Sequence, residues 1–112
     1  MKLPNAEHAV VDPAKVRDYL LSPEHPVGRT KARVFAVLGF RRAEWPALRD
    51  ALLAHALGEA EPAGGGPHGQ KYAVRGILRG PAGREAPVVS VWIVLAGEGA
   101  PRLVTAYPGE AP

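Results

Sequence analysis

Apolar residues recur at helical spacing through the first half of the chain. Asp12 and Pro13 open the first of these patterns, since Asp is a good N-cap and proline is tolerated at the first helical position. Val16, Tyr19 and Leu20 then fall on one side of the helix. The pattern predicts a first helix that ends before the two prolines that follow, because neither proline can continue it.

Two further helices are predicted before residue 58. The second spans about residues 28–38, and Gly39 follows it as a left-handed stop. Residues 41–46 are predicted to open the third helix, because proline is tolerated only in the first turn of a helix and Pro46 stands there. Gly58 is predicted to close this third helix.

The second half of the chain changes to the alternation that is typical of strands. Residues 70–79 alternate between apolar and polar positions, and residues 80–83 are typical of a hairpin turn. Residues 88–95 are apolar on both sides, which predicts a central strand covered by helices on one face. A last strand is predicted over residues 102–107, after a glycine-rich turn.

This order of elements predicts one α+β domain over residues 1–112, with N-terminal helices packed on a C-terminal antiparallel β-sheet of three to four strands. The helical part covers residues 1–57, and the sheet covers residues 69–108. Residues 58–68 are rich in glycine and predict a flexible loop between them. The residues predicted to form the core are Leu20, Val34, Phe35, Leu38, Leu48, Leu52, Val91, Ile93 and Leu103.

The amino-acid composition limits the kinds of functional site that the chain can form. The chain has no cysteine, which excludes disulfides and thiolate zinc sites, and its four histidines lack metal-ligand spacing, so we expect neither a metal nor a cofactor. Its two serines stand in no nucleophile motif. No apolar run approaches the roughly 20 residues that span a bilayer, so a cytoplasmic protein without a membrane partner is expected.

Positive charge is concentrated in one segment. Residues 29–49 carry six basic residues and one acidic residue. His25 precedes the second predicted helix, whose first turns hold Arg29, Lys31 and Arg33. Cations at a helix N-terminus are unfavourable unless an anion compensates them, so the segment predicts a phosphate site. The alternative is a solvated loop with exposed basic side chains.

The last strand offers polar groups that face the same way. Strict alternation places Leu103, Thr105 and Tyr107 on one face. If Leu103 points inward, Thr105 and Tyr107 lie along the same rim. The alternative is that Thr and Tyr are present as good strand formers.

Several segments resemble a family of small uncharacterised bacterial domains, over nearly the whole chain. They include Lys-Leu-Pro-Asn-Ala, His-Pro-x-Gly-Arg-x-Lys-Ala-Arg-Val-Phe, Val-Trp-Ile-Val and Leu-Val-Thr-Ala-Tyr-Pro. The layout of helices followed by a sheet that ends in Thr-x-Tyr-Pro also resembles the small metal-independent ribonucleases that include barnase, EndoU, colicin D and RelE-type toxins.

The second resemblance implies a toxin-like ribonuclease in which the ribose 2′-hydroxyl attacks its own 3′-phosphate. Its site would combine a basic or imidazole group on the early helices with polar residues on the sheet. The residues so implied are His25, Arg29 and Lys31 on the helical side, Thr105 and Tyr107 on the sheet, and Arg33 and Lys71 as further RNA contacts.

A second hypothesis is a non-catalytic module that binds a small cognate protein in a two-gene cassette of the toxin–antitoxin kind. The same basic loop and the exposed edge of the sheet would hold the partner, with Trp45 or Trp92 as an anchor. The two hypotheses differ in whether the candidate site residues converge on one concave rim.

Overall fold

The computed structural model describes residues 1–25 and 29–109, and for Arg29 and Thr30 the backbone alone. Its helical elements are a 3-10 turn (Ala6–His8), α1 (Pro13–Lys15) continued by a π turn (Val16–Leu20), α2 (Arg29–Val37), a second 3-10 turn (Arg42–Glu44) and α3 (Trp45–His55). The strands are β1 (Ala60–Gly66), β2 (Gly69–Arg79), β3 (Glu85–Leu95) and β4 (Arg102–Pro108). Among these residues no helix is long and apolar enough to cross a membrane.

The predicted α+β fold is confirmed. The four strands form one antiparallel sheet in the order β1-β2-β3-β4, so β3 is an interior strand as predicted. Side chains from α2, α3 and the π turn pack against one face of this sheet and form a single core with it. The helices therefore cover one face, and the other is turned away from them.

The start of α1 and the end of α2 follow their sequence signals. Asp12 accepts a hydrogen bond from the Ala14 N–H at 2.9 Å, and Pro13 occupies the first turn. Gly39 adopts a left-handed φ of 97°, as predicted for the residue that stops α2. The predicted start of that helix at residue 28 lies outside the described residues, and α2 begins at Arg29.

Residues 58–68 do not form the predicted flexible loop, since residues 60–66 are strand β1. Ala60 pairs with Val74 and Gly66 with Gly69, with an irregular register between Pro62 and Gly65. The glycines indicated a loop because glycine costs entropy in a strand. Here the close backbone approach favours glycine, because a Cβ on Gly65 would lie 2.8 Å from a backbone oxygen.

The face of β3 that packs on the helices is the opposite of the predicted one. Val88, Ser90 and Trp92 are buried under the helices, whereas Val91 and Ile93 are only half-buried. Because residues 88–95 are mainly apolar on both faces, alternation does not indicate which face of β3 packs on the helices. Val34 is also only half-buried, and the other predicted core residues, Leu20, Phe35, Leu38, Leu48, Leu52 and Leu103, are confirmed.

Strand β4 departs from strict alternation. Leu103 and Ala106 are both buried, three residues apart, because the register with β3 shifts between the Val91 and Trp92 pairs. Leu103 pairs with the buried Trp92, whereas Thr105 and Tyr107 pair with Val91 and Val89, so the prediction that all three share one face is wrong for Leu103.

Candidate functional site

Three polar side chains from three elements form a hydrogen-bonded triad. Tyr19 belongs to the π turn, Lys31 to the first turns of α2 and Thr105 to β4. The Tyr19 hydroxyl lies 3.1 Å from Thr105 Oγ1. Lys31 Nζ donates to Thr105 Oγ1 at 3.2 Å and also donates to the Tyr19 hydroxyl. We call these three residues the polar triad.

The polar triad contains more hydrogen-bond donors than it uses. An ammonium has three N–H groups, and each hydroxyl has one O–H group. Within the described contacts, Lys31 uses two N–H groups, and either Tyr19 or Thr105 donates to the other. One N–H and one O–H are thus left over at a positively charged site. Such a site favours a further acceptor, and an anion most of all.

Local departures from regular structure place Tyr19 and Thr105. Tyr19 lies in the π turn, which closes with a 2.9 Å bond from the Leu21 N–H to the Val16 carbonyl. Thr105 lies beside the register shift of the edge strand β4, and its hydroxyl reaches Tyr19 and Lys31 in the helical layer. Neither position follows from a regular period.

The triad borders an open cavity of about 610 Å³. Its lining includes Lys15, Asp18, Tyr19, His25 and Thr105. The ammonium of Lys31 binds two of these lining side chains, those of Tyr19 and Thr105. The imidazole of His25 meets the Tyr19 ring edge to face, with ring centroids 5.0 Å apart. An imidazole, a phenol and a hydroxyl thus line one concave surface, and the triad ammonium is bound beside them.

The neighbouring lysines favour the ionised form of the Tyr19 phenol. Partial burial opposes ionisation of Tyr19, but the hydrogen bonds from Lys31 and Thr105 outweigh it, aided by the charges of Lys31 and Lys15. The net result is a pKa of Tyr19 below its ordinary value. The phenol is therefore a better proton donor than a tyrosine in water.

A carboxylate at the rim of the cavity is neutralised by two arginines. Asp18 accepts two hydrogen bonds from Arg17 and one from Arg42. The bonds from Arg17 first, and then from Arg42, lower the pKa of Asp18 to about 2. Because its charge is matched by two guanidinium groups, Asp18 does not by itself exclude an anion from the cavity.

The structure brings together three of the five residues predicted to be catalytic. His25 and Thr105 line the cavity, and Lys31 binds Thr105. Tyr107 pairs with Val89, and its described contacts include none with the triad. The side chain of Arg29 lies outside the described part of the chain.

The two predicted RNA contacts lie apart from the triad. Lys71 borders a separate cavity beside the glycines of β1. Arg33 lines a different cavity next to the π turn, with Arg41 and Arg42. Among residues 1–25 and 29–109, no three His, Asp or Glu side chains lie close enough to hold a metal ion.

Sequence reasoning assigned Tyr19 to the apolar face of the first helix and missed its place in the site. Its only available signal was that a tyrosine on a buried helical face needs a partner for its hydroxyl. That partner, Thr105, is 86 residues further along the chain.

The model of the family described as "Domain of unknown function (DUF6883)" matches residues 2–110. The chain belongs to this family. The expected resemblance to a small uncharacterised domain family is thereby confirmed, and every residue of the polar triad lies within the match. No curated protein and no solved structure matches the chain.

Proposed function

We propose that this DUF6883 domain is a metal-independent ribonuclease that uses the ribose 2′-hydroxyl as its nucleophile. The observation that carries the proposal is the polar triad, with its two unused donors, beside His25 at an open cavity. The substrate supplies the nucleophile in this reaction. The protein needs only a proton acceptor, a proton donor and fixed positive charge on the phosphate.

The residues have distinct roles in the proposed reaction. His25 accepts the proton of the 2′-hydroxyl as the 2′-oxygen bonds to phosphorus. Tyr19 donates a proton to the 5′-oxygen as the bond from that oxygen to phosphorus breaks. Lys31 donates its unused N–H to a non-bridging oxygen, where negative charge grows, and Thr105 holds the Tyr19 hydroxyl in place. The products are a 2′,3′-cyclic phosphate and a 5′-hydroxyl, and solvent restores both protonation states.

The first test is cleavage of an end-labelled RNA by the purified protein in excess chelator. We expect products that end in cyclic phosphate or 3′-phosphate, and no cleavage of the same sequence as DNA. A substrate with a single 2′-deoxy residue should resist cleavage at that position alone. A folded protein that leaves the RNA intact would refute the proposal.

Variants test the roles of the residues. His25→Ala should lower the rate by roughly 100-fold or more, and Lys31→Met and Tyr19→Phe by a similar factor of about 100 to 1,000. Tyr72→Phe is the matched control, since the described contacts of Tyr72 include no hydrogen bond from its hydroxyl and it packs beside the core. Cleavage that depends on the Tyr107 hydroxyl and not on that of Tyr19 would contradict this assignment.

A second candidate is the protein-binding module, favoured by the sheet face turned away from the helices. Ile77 is 54% exposed and Tyr107 is 36% exposed on this face, with half-buried Val91 between their strands. Trp92 cannot anchor a partner, because it is fully buried. This function predicts a complex with the product of the adjacent gene, measured by calorimetry, that Ile77→Ser weakens. Unchanged affinity in that variant would contradict it.

A further inference from the structure

A second cavity, of about 510 Å³, lies on the other side of the Asp18–Arg42 ion pair. Asp18 lines the cavity of the polar triad, and Arg42 lines the second one, with 3.2 Å between their charged atoms. The two cavities are therefore neighbours. We call the second one the arginine cavity.

The arginine cavity has an apolar floor and a cationic rim. Leu21, Ala32 and Phe40 contribute buried apolar surface. The rim is formed by Arg33, Arg41 and Arg42. No acidic side chain is among its described lining residues.

The charges of the rim are only partly compensated. Arg42 pairs with Asp18 at 3.2 Å, and Arg41 makes a longer 3.6 Å contact with Glu44 in which both side chains are largely exposed. Exposed pairs of this kind contribute little binding energy. The ion pairs of the described residues include none for Arg33, so its guanidinium is available to an anionic ligand.

We propose that the arginine cavity binds the nucleotide next to the scissile bond in single-stranded RNA. This inference rests on the proposed ribonuclease function. Arg33 and Arg41 contact the phosphate of that nucleotide, and its base and ribose cover the apolar floor.

Charge and shape favour this occupant. A guanidinium matches phosphate geometry with two donors and also stacks on a base. A base that enters such a cavity must be unstacked, and single-stranded RNA offers unstacked bases.

Substrate length provides the kinetic test. Wild-type protein should cleave a five-nucleotide RNA with a lower KM than a dinucleotide. Arg33→Ala should raise KM for the longer RNA by about tenfold, the equivalent of one charged hydrogen bond, with kcat unchanged. Arg33→Ala should affect cleavage of the dinucleotide less than cleavage of the longer RNA, because a dinucleotide lacks the neighbouring phosphate. The matched control is Arg79→Ala, which removes an exposed arginine at the end of β2.

Binding provides a readout that does not need catalysis. A fluorescent five-nucleotide RNA with 2′-deoxyribose at the cleavage position is titrated with protein at two salt concentrations. Arg33→Ala should weaken binding by about tenfold and reduce the salt dependence by about one ion, whereas Arg79→Ala should change neither.

The outcomes separate the two proposals. Normal cleavage with equal affinity and equal KM for wild type and Arg33→Ala would overturn the arginine cavity alone. Binding that depends on Arg33 in a protein that cleaves no RNA would overturn the ribonuclease alone. A glutamate hexapeptide that binds through Arg33 while RNA does not would overturn the RNA assignment in favour of an acidic protein partner.

Discussion

Two ammonium groups lie close to the phenol of Tyr19. Lys31 Nζ is 4.8 Å from the centre of the ring and binds its hydroxyl, and Lys15 Nζ is 5.8 Å from the centre. Both cations favour the phenolate over the neutral phenol. The two lysines therefore make the Tyr19 phenol more acidic. This effect can be measured without knowing the substrate.

Removal of Lys31 should raise the pKa of Tyr19. Wild-type Tyr19 should ionise below its ordinary value near 10, because the bond from Lys31 stabilises the phenolate. In Lys31→Met that stabilisation is lost, while burial still opposes ionisation. The measurement is the ultraviolet absorbance of tyrosinate against pH, with the curve of Tyr19→Phe subtracted. An identical Tyr19 transition in wild type and Lys31→Met would show that the ammonium does not act on the phenol.

At the scale of elements, local sequence signals predicted the helices correctly. They failed to predict elements whose structure depends on tertiary contacts. Asp12 caps the start of α1 by accepting a hydrogen bond from a residue only two positions away, so this start can be predicted from the local sequence. The strand β1 exists only because β2 pairs with it, and a glycine-rich segment does not encode that pairing. The candidate site contains residues of both kinds, some found from local sequence signals and others placed by tertiary contacts. His25 and Lys31 stood out beside or within a basic segment, whereas the contact of Tyr19 with Thr105 joins residues that are 86 positions apart in the chain.

The end of α2 is docked onto the turn between β2 and β3. The Ala82 N–H donates to the Leu38 carbonyl at 3.3 Å, and Gly39 lies against the same turn. A Cβ on Gly39 would come within 2.7 Å of Ala82 N. This contact fixes one end of α2, and Lys31 is near the other end of the same helix.

Gly39→Ala should therefore destabilise the protein more than Gly83→Ala does. Both glycines have positive φ, 97° and 80°, so each substitution incurs the left-handed strain of about 1–2 kcal/mol. Gly83 has open space around it, whereas at Gly39 the added methyl also collides with the turn, at an additional cost of about 1–3 kcal/mol. Urea unfolding of both variants measures the difference. Equal losses would mean that α2 is not docked in this way.

At the scale of the whole molecule, a buried network joins α3 to the sheet. His55 Nε2 lies 3.2 Å from the Gly76 carbonyl and 3.1 Å from the Val88 carbonyl, and both carbonyls can only accept. Nε2 therefore carries the proton, and in the neutral ring Nδ1 accepts from the Ser90 hydroxyl at 2.7 Å. The Trp92 indole N–H donates to the same hydroxyl oxygen at 2.8 Å. Protonation of Nδ1 would leave Ser90 without this acceptor.

The stability of the fold should accordingly fall in acid through His55. Burial lowers the pKa of His55 below its ordinary value of 6.5, and the carbonyls of Gly76 and Val88 offset this only in part. Below about pH 6.5 the unfolded chain binds a proton that the folded chain does not. The free energy of unfolding should then decline by up to about 1.4 kcal/mol per pH unit, until the pH reaches the lowered pKa.

Urea unfolding between pH 7 and pH 5 measures this slope, with circular dichroism to confirm that each variant is folded. His55→Gln keeps a donor and an acceptor but cannot take up a proton in this range, so its stability should depend less on pH than that of wild type. His68→Gln, at an exposed position, controls for the loss of one imidazole. Equal pH slopes in wild type and His55→Gln would show that the His55 network does not make the fold sensitive to acid.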